Sequence, residues 1–252
     1  MSDNRVLVYK KPGQTPLEAV TEAKNTYPNW KHVPVTYAGR LDPLAEGALL
    51  LLAGDECLKK DEYLALPKEY ELSILFGFST DTYDLMGLLT ESAFLPEDTS
   101  FISNLEKITP QFTGRIRQTY PVYSSRTVDG KPLFQWAREG KLHEITIPSQ
   151  DVFVESIEVV SHGEIDHGVL VKRIHTDIAR VHGDFRQEEI ISLWNKTLEK
   201  YQGKTFPVVT LRIKCGSGVY VRALAHDIGK SLGVPALALK IIRTKIGEFS
   251  IL

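Results

Sequence analysis

The sequence predicts an α+β fold, with a mixed, largely antiparallel sheet flanked by helices and loops. Two stretches, 70–78 and 209–215, alternate apolar and polar residues with the period of two that is typical of half-buried strands. Two others, 187–201 and 218–232, carry apolar residues at helical spacing. The segments lack the even strand–helix rhythm of a doubly wound sheet, which favours α+β over α/β. No linker-like segment divides residues 1–252, so we expect one domain.

The first helix is predicted from its start signals. Thr15 and Glu18 have the spacing of a capping box, and Pro16 stands at the first helical position, where a missing N–H costs nothing. The helix should end before Pro28. Its inward face is expected to carry Leu17, Val20 and Ala23.

Apolar runs predict the other elements of the first 80 residues. Strands are expected at 5–9 and, fully buried, at 48–53. A helix capped by Asp55 should run to about Leu66, with Leu58, Tyr63 and Leu66 facing inward. The strand at 70–78 has an apolar face formed by Tyr70, Leu72, Ile74, Phe76 and Phe78.

Further along, a short helix at 132–139 should stop at Gly140. The β-branched segments 152–160 and 169–174 predict a strand pair, with His162 and His167 in the hairpin loop between them. The helix at 187–201 should turn Ile190, Trp194 and Leu198 inward.

The last predicted strand and helix carry polar residues that could meet a ligand. The strand at 209–215 presents Arg212 and Lys214 on its polar face. The turn Gly216-Ser217-Gly218 then opens a helix, and its backbone N–H groups could bind an anion. A tight strand-to-helix turn explains the same residues equally well, because the spacing matches no nucleotide-binding fingerprint.

Composition excludes several classes of protein. No apolar run approaches the roughly 20 residues that span a bilayer, and the first residues lack the build of a signal peptide. Cys57 and Cys215 show no ligand spacing, and the seven histidines are scattered. We therefore expect a cytoplasmic protein with no metal site, no nucleotide cofactor and no membrane partner.

The charge is unevenly distributed along the chain. The net charge of −2 argues mildly against nucleic-acid binding. Segments 202–252 and 110–141 nevertheless carry eight and six Lys/Arg against two acids each, local balances of +6 and +4. Phosphate binding needs a local basic surface, although solvated faces explain such charge runs as well.

Three side chains are candidates for chemistry. Asp42 lies between Gly39 and Pro43, ahead of a buried strand, where a carboxylate can meet a substrate in a cleft. Asp-Pro is also a common turn starter, and on that pair alone the turn is favoured. Arg222 stands in the first turn of a helix, against the dipole, so it either pairs with an acid or is exposed. Tyr70 begins a strand, where packing in the core is the simpler explanation.

These three residues fall in motifs that resemble those of the TruB-type tRNA pseudouridine synthase family. The family pattern Gly-His-x-Gly-x-Leu-Asp-Pro-x-Ala-x-Gly corresponds to Thr36-Tyr37-Ala38-Gly39-Arg40-Leu41-Asp42-Pro43-Leu44-Ala45-Glu46-Gly47. Four further matches lie at 10–15, at 68–87, at 118–125 and at 215–229. The motifs agree in order and approximate spacing from residue 5 to the end.

The resemblance implies the pseudouridine synthase fold and the isomerisation of uridine to pseudouridine in RNA, without a cofactor. Asp42 would attack the ribose or the base, or take a proton from the sugar, which are alternatives that the sequence leaves open. Tyr70 would stack on the flipped uracil, and Arg222 would pair with Asp42 and keep it ionised and oriented. Arg40, Tyr220, Lys11, Arg212 and Lys214 would contact the RNA, together with Tyr37.

The chain departs from the family pattern in three ways. The Gly-His pair is Thr36-Tyr37 here, so either Tyr37 stacks where the histidine would, or the flipping step differs. We expect no C-terminal RNA-binding (PUA-like) domain, because the sequence stops soon after the last motif. Between about 162 and 203 the chain is expected to be longer than the family core, by a helix without an assigned role.

The expected substrate is a uridine in the T-loop of tRNA, and the expected partner is the T-arm of tRNA. Two alternatives remain at this stage: a ribosomal-RNA pseudouridine synthase of the same superfamily, and an RNA chaperone that folds tRNA without modifying it. The segments around Tyr120-Pro121-Val122-Tyr123-Ser124 and Thr80-Asp81-Thr82 favour the TruB branch. Intact Asp42, Tyr70 and Arg222 argue against loss of catalysis. The sequence indicates no oligomeric state.

Overall fold

A single large sheet organises the molecule. The computed structural model describes residues 4–95 and 101–251. The strands are β1 (Arg5–Lys10), β2 (Val35–Ala38), β3 (Glu46–Ala53), β4 (Lys68–Phe76), β5 (Phe78–Thr80), β6 (Leu89–Ser92), β7 (Gly114–Thr119), β8 (Thr127–Val128), β9 (Lys131–Pro132), β10 (Ser149–Asp166), β11 (Thr205–Cys215), β12 (Ala236–Ile246) and β13 (Phe249–Ser250). The α-helices are α1 (Pro16–Thr26), α2 (Lys60–Ala65), α3 (Phe101–Ile108), α4 (Leu133–Arg138), α5 (His167–Ala179), α6 (Gln187–Leu198) and α7 (Val221–Leu232).

Nine of the strands in the described residues form this sheet, in the order β1-β3-β12-β4-β11-β10-β7, with β2 added to β3 and β13 to β12. The pairs are antiparallel except β3 and β12, which run parallel. The predicted α+β class and largely antiparallel sheet are confirmed. Within the described residues, no helix is long and apolar enough to cross a membrane.

The two faces of the central strands are covered by different helices. Alternation along β4 sends Leu72, Ile74 and Phe76 to one face, where they pack with α7 and α3. Leu75 belongs to the opposite face, which is covered by α5 and α6. The predicted strand alternation at 70–78 and 209–215 is confirmed, although the chain bends at Gly77 and resumes as β5. The helical face of Ile190, Trp194 and Leu198 is buried as predicted.

The first helix forms as its start signals predict. The Thr15 hydroxyl accepts from the Glu18 N–H, and the Glu18 carboxylate accepts from the Thr15 N–H, so the capping box is complete. Its inward face is Ala19, Val20 and Ala23, whereas Leu17 is 69% exposed, so the prediction that Leu17 faces inward is wrong. The three buried residues pack with Leu49 and Leu51 of β3, and Leu17 lies to one side of this stripe of the helix.

In the segment after β3, a leucine that the sequence predicts to face inward is exposed as well. The chain forms a 3-10 helix over Gly54–Lys59 before α2, and Asp55 makes no capping bond. The tighter turn rotates Leu58 outward, where it is 87% exposed, while Tyr63 is buried as expected. The predicted short helix before Gly140 is confirmed as α4.

The predicted strand pair at 152–160 and 169–174 is wrong in its second member. Residues 169–174 belong to α5, and β10 pairs with β7 and β11 instead. The Asp166 carboxylate accepts from the N–H groups of Gly168 and Val169 and so starts the helix. Burial then follows helical spacing through Leu170, Ile174 and Ile178, which outweighs the β-branched character of the segment. His162 therefore lies in β10 and His167 begins α5, rather than both lying in a hairpin loop.

A pair of variants on α1 tests the observed burial of that helix. Val20→Ala should lower the free energy of unfolding by about 2 kcal/mol, since two buried methyl groups are lost and a small cavity remains. Leu17→Ala should change it by less than about 0.5 kcal/mol, because the side chain is exposed. Urea unfolding followed by circular dichroism measures both. Equal losses would place Leu17 in the core after all.

Candidate active site

Asp42 lies in the loop that joins β2 to β3, which we call the aspartate loop (residues 39–45). Its Oδ2 accepts a hydrogen bond from Arg222 Nε at 2.8 Å. The Asp42 side chain is 38% exposed, whereas that of Arg222 is 4% exposed. The pair therefore sits at the boundary between core and solvent, with its cation inside and its carboxylate open to a cleft.

Arg222 uses all three nitrogens of its guanidinium. Besides the bond to Asp42, Nη1 donates to the Thr82 carbonyl at 2.6 Å and Nη2 donates to the Tyr123 carbonyl at 2.9 Å. A buried arginine is tolerated only when its charge and its N–H groups are satisfied, and here both are. The prediction that Arg222 pairs with an acid rather than facing solvent agrees with this geometry.

The turn before α7 is held so that Arg222 points inward. Gln118, buried on β7, donates from Nε2 to the Tyr220 carbonyl at 3.1 Å and accepts from the Tyr220 N–H at 2.9 Å. Gln150 donates to the Gly218 carbonyl at 2.6 Å. Two amide side chains therefore fix the backbone of the glycine-rich turn, which opens α7 as predicted.

Two buried cations hold the aspartate loop from below. Lys10 Nζ donates to the carbonyls of Ala45 at 2.6 Å and Pro43 at 3.2 Å. Arg243 donates to the carbonyls of Arg40 and Gly39, each at 3.2 Å, and to that of Ala48 at 2.7 Å. Burial lowers the pKa of Lys10 to about 8, a shift that the nearby Asp42 charge opposes. The loop is thus fixed through its backbone.

Close backbone packing at the loop's end requires glycine at position 47. Gly47 has φ of 105° and faces Arg243 across the parallel β3–β12 pair. A Cβ on residue 47 would stand 2.3 Å from the Arg243 carbonyl oxygen. Only glycine allows the two strands to approach so closely, and this approach brings the Arg243 side chain beneath the loop.

The Asp42 carboxylate opens into a cavity of about 820 Å³, within the size range of ligand sites. Tyr70 lines the same cavity from the start of β4, and its burial raises the pKa of its phenol, which therefore stays protonated at neutral pH. Arg40, Tyr220 and Arg222 line it as well. The structure therefore brings Asp42, Tyr70 and Arg222 together with two of the predicted RNA contacts.

The other predicted RNA contacts lie elsewhere. Lys11 lines a separate groove beside α5, and Tyr37 packs against α1 with the Lys60 ammonium 5.6 Å from its ring centroid. Arg212 and Lys214 alternate with buried residues of β11, so they occupy the opposite face of the sheet from Tyr70. In the described part of the chain, no group of three or more His, Cys, Asp or Glu side chains could hold a metal ion.

The cavity also contains charged residues to which the sequence analysis gave no role. Asp84 is buried beside the ion pair and accepts from the Thr82 hydroxyl at 2.6 Å. Burial raises the pKa of Asp84, against the lowering effect of Arg222. Lys68 donates to the carbonyls of Leu64 and Leu66, and burial lowers its pKa to about 8. In the sequence, the only indication of a role for Asp84 and Lys68 was their place in the matched motif at 68–87.

Comparison with known proteins identifies the family. The model of the TruB family pseudouridylate synthase (N terminal domain) matches residues 29–179, more than half of the chain. This chain belongs to the TruB family. Its relatives include the tRNA pseudouridine synthase B of Caldanaerobacter subterraneus subsp. tengcongensis, 32% identical over 252 residues, an alignment that covers all of this chain and 72% of the relative.

A second TruB relative, the tRNA pseudouridine synthase B of Carboxydothermus hydrogenoformans, is 30% identical and is matched over 98% of this chain and 70% of its own length. Among solved structures, a crystal structure of a Cbf5-Nop10-Gar1 complex contains a similar chain, with a TM-score of 0.59 and 19% identity. The alignment covers 98% of the TruB-family chain described here and 50% of that chain, so the likeness extends to the fold over about half of the larger protein.

The buried Lys10 and its exposed neighbour provide a matched test of how the aspartate loop is held. Lys10→Met should lower the free energy of unfolding by about 1–3 kcal/mol, because the Ala45 carbonyl loses its short bond inside the protein. Lys11→Met removes the same charge from an exposed position and should change stability by less than about 0.5 kcal/mol. Urea unfolding at pH 7 measures the difference. If the two variants unfold alike, Lys10 does not support the loop.

Proposed function

We propose that this chain isomerises uridine to pseudouridine in tRNA and that Asp42 is the reacting residue. The observation that carries the proposal is the Asp42 carboxylate, open to the cavity and bonded at 2.8 Å to a buried arginine. Family membership supplies the reaction class, and the relatives named above are tRNA pseudouridine synthases B.

The reaction requires little more than a correctly placed carboxylate. Ribose C1′ leaves N1 of the uracil and becomes bonded to C5, while the hydrogen on C5 is lost and N1 gains one. No atom is added or removed and no electron is transferred to a partner, so the balance requires no cofactor. A carboxylate can attack the ribose or the base, or accept a proton from the sugar, and Asp42 is proposed for this step.

Arg222 is proposed to hold the Asp42 carboxylate in a fixed orientation through the 2.8 Å bond from its Nε. Its other two nitrogens are bonded to backbone carbonyls, so the guanidinium cannot follow the carboxylate if that moves. Positioning of this kind converts a flexible acid into a fixed one before the substrate arrives.

Tyr70 is proposed to receive the extruded uracil. A uridine stacked in an RNA loop cannot reach a carboxylate inside a cavity, so the base must leave its stack. The Tyr70 ring lines the cavity that contains Asp42 and supplies an aromatic face for the base. Its neutral phenol can also donate a hydrogen bond to the substrate. Tyr220 and Arg40, on the same cavity, are proposed to contact the neighbouring nucleotides.

Asp42→Asn should abolish pseudouridine formation while leaving affinity for tRNA within a few-fold of the unaltered protein. The amide has the shape of the carboxylate and can still accept from Arg222, whereas the reacting charge is gone. Product formation is measured on a tRNA transcript at enzyme in excess, and affinity by filter binding.

Asp61→Asn, an exposed carboxylate on α2, is the matched control and should retain full activity. Pseudouridine formation by the Asp42→Asn protein above trace levels would contradict the assignment of Asp42. Loss of activity in both variants would point to a general effect of charge.

The T-arm of tRNA is proposed as the RNA element bound, with its loop in the cavity and its stem phosphates on the exposed cations of the basic segment 110–141, Arg115, Arg117 and Arg126. An isolated T-arm stem-loop should then be turned over nearly as well as full-length tRNA, because recognition rests on loop shape and splayed bases. Its affinity should fall steeply with salt as phosphate contacts release counterions. Turnover is compared on full tRNA, on the T-arm, and on a ribosomal stem-loop with the same closing pairs.

Preference for the ribosomal hairpin in that comparison would replace tRNA by ribosomal RNA as the substrate. Activity confined to full-length tRNA would show that contacts beyond the T-arm are needed. Tight, salt-sensitive binding without product on any of the three RNAs would favour the RNA-chaperone alternative.

A further inference from the structure

The chain between β10 and β11 leaves the sheet and returns to the same point. The two strands are paired up to Asp166 and Thr205, and the His167 N–H donates to the Lys204 carbonyl at 3.0 Å. The intervening residues form α5 and α6, which pack against each other. Their buried side chains, including Ile174 and Trp194, form one core cluster with Phe78 and Phe206 of the body. The helix pair is therefore firmly mounted on the sheet.

The loop at the far end of this helix pair, residues 181–187, enters the active site. We call it the tip loop. Asp184, Phe185 and Arg186 line the same cavity as Asp42 and Tyr70. Arg186 donates two hydrogen bonds to the Asp81 carboxylate, at 2.7 and 3.2 Å. The tip loop is thus a wall of the catalytic cavity, although it lies far along the chain from the aspartate loop.

Several contacts fix the tip loop in this position. The Arg186 guanidinium stacks over the Tyr123 ring at 4.4 Å, and Arg138 of α4 donates to the Asp184 carbonyl. Gln187 donates to the carbonyls of Val181 and Gly183 and accepts from the Phe185 N–H at 2.9 Å. Arg186 itself has φ of 64°, a left-handed conformation that costs energy in a non-glycine residue and is maintained here by its ion pair.

The start of the tip loop also packs against residues 10–15, the matched motif that comes first along the chain. Gly13, just before α1, lies so close to Arg180 that a Cβ would stand 2.3 Å from the Arg180 carbonyl oxygen. The aspartate loop is bonded to the same turn, since the Gly13 N–H donates to the Pro43 carbonyl at 2.9 Å. The tip loop and Asp42 therefore share one rigid support.

Phe185 is the aromatic side chain that this fixed loop presents to the cavity. Its side chain is 37% exposed and faces the cavity, while its neighbours Arg186 and Gln187 make the contacts that hold the loop. An aromatic ring held half-exposed beside Arg138 and Arg186 has the properties of a stacking surface for an RNA base. Splayed loop bases are recognised in this way.

We propose that Phe185 stacks on a base of the RNA next to the target uridine, and that the tip loop of the α5–α6 helix pair is a substrate-binding wall. The inference rests on the proposed function and extends it: Tyr70 receives the target base, whereas Phe185 receives a neighbouring one. The tip loop thereby sets which loop sequence and shape the enzyme accepts.

The first experiment measures affinity without chemistry. In an Asp42→Asn background, Phe185→Leu should weaken binding of a tRNA transcript by at least about 5-fold, since the aromatic face is lost while the apolar volume is largely kept. Phe185→Trp should bind at least as tightly as the parent. Phe94→Leu is the control, because Phe94 is 46% exposed and lies outside the cavity, and its affinity should not change. Unfolding midpoints confirm that all three are folded.

The second experiment locates the base. A set of T-arm stem-loops is prepared, each with an abasic residue at one loop position. The affinity of each RNA is measured for the parent protein and for the Phe185→Leu protein. At the stacked position the abasic RNA should lose affinity for the parent but show no further loss with Phe185→Leu, because the two changes remove the same contact.

Additive losses at every loop position, or unchanged affinity of Phe185→Leu for tRNA, would overturn the inference. Pseudouridine formation by the protein with Asp42 intact is assayed on the same RNAs and separates the two proposals. Product from the unaltered protein together with unchanged binding by Phe185→Leu removes the stacking role alone. Absence of product removes the proposed function, while the affinities still decide whether Phe185 stacks.

Discussion

One buried guanidinium joins the parts of this molecule that must meet for catalysis. Arg222 bonds the Asp42 carboxylate and the carbonyls of Thr82 and Tyr123, groups 180, 140 and 99 residues away along the chain. A buried cation with a missing partner would cost several kcal/mol, so folding is favourable only if all three segments arrive together. The same requirement that stabilises the core therefore also assembles the cavity, and the Asp42 side chain is the partner that remains open to solvent.

The aspartate loop is rigid because cations bind its backbone. Lys10 and Arg243 approach from two different strands and donate to carbonyls on either side of Asp42, so the loop needs no regular structure to hold its shape. Carbonyls accept from these cations more strongly than from neutral donors. The arrangement leaves the Asp42 side chain free of the bonds that fix its backbone, so it can be used for chemistry.

Local patterns predicted the strands β4 and β11 and the helices α1 and α6, since their faces differ sharply in polarity. They failed at residues 169–174, where β-branched residues indicated a strand and tertiary burial on one helical face decided otherwise. The family motifs singled out Asp42, Tyr70 and Arg222, which the fold brings to one cavity, while their roles stay predictions. The roles of Arg243 and of the tip loop could not be predicted. Arg243 bonds backbone carbonyls, and Arg186 of the tip loop bonds Asp81, which is 105 residues away. Neither contact leaves a pattern in the sequence.

The position of β12 has a consequence for how the protein is made. This strand lies between β3 and β4, so the sheet stays incomplete until residues 236–246 have been synthesised. Arg243, on the same strand, is the last of the buried cations to be translated. A nascent chain can therefore form its hairpins and helices early, but the aspartate loop lacks its bonds from Arg243 until β12 inserts. The strands that β12 joins are far from it in sequence, and such pairing is slow. We therefore expect insertion of β12 to be a slow step of folding, and activity should appear only after it.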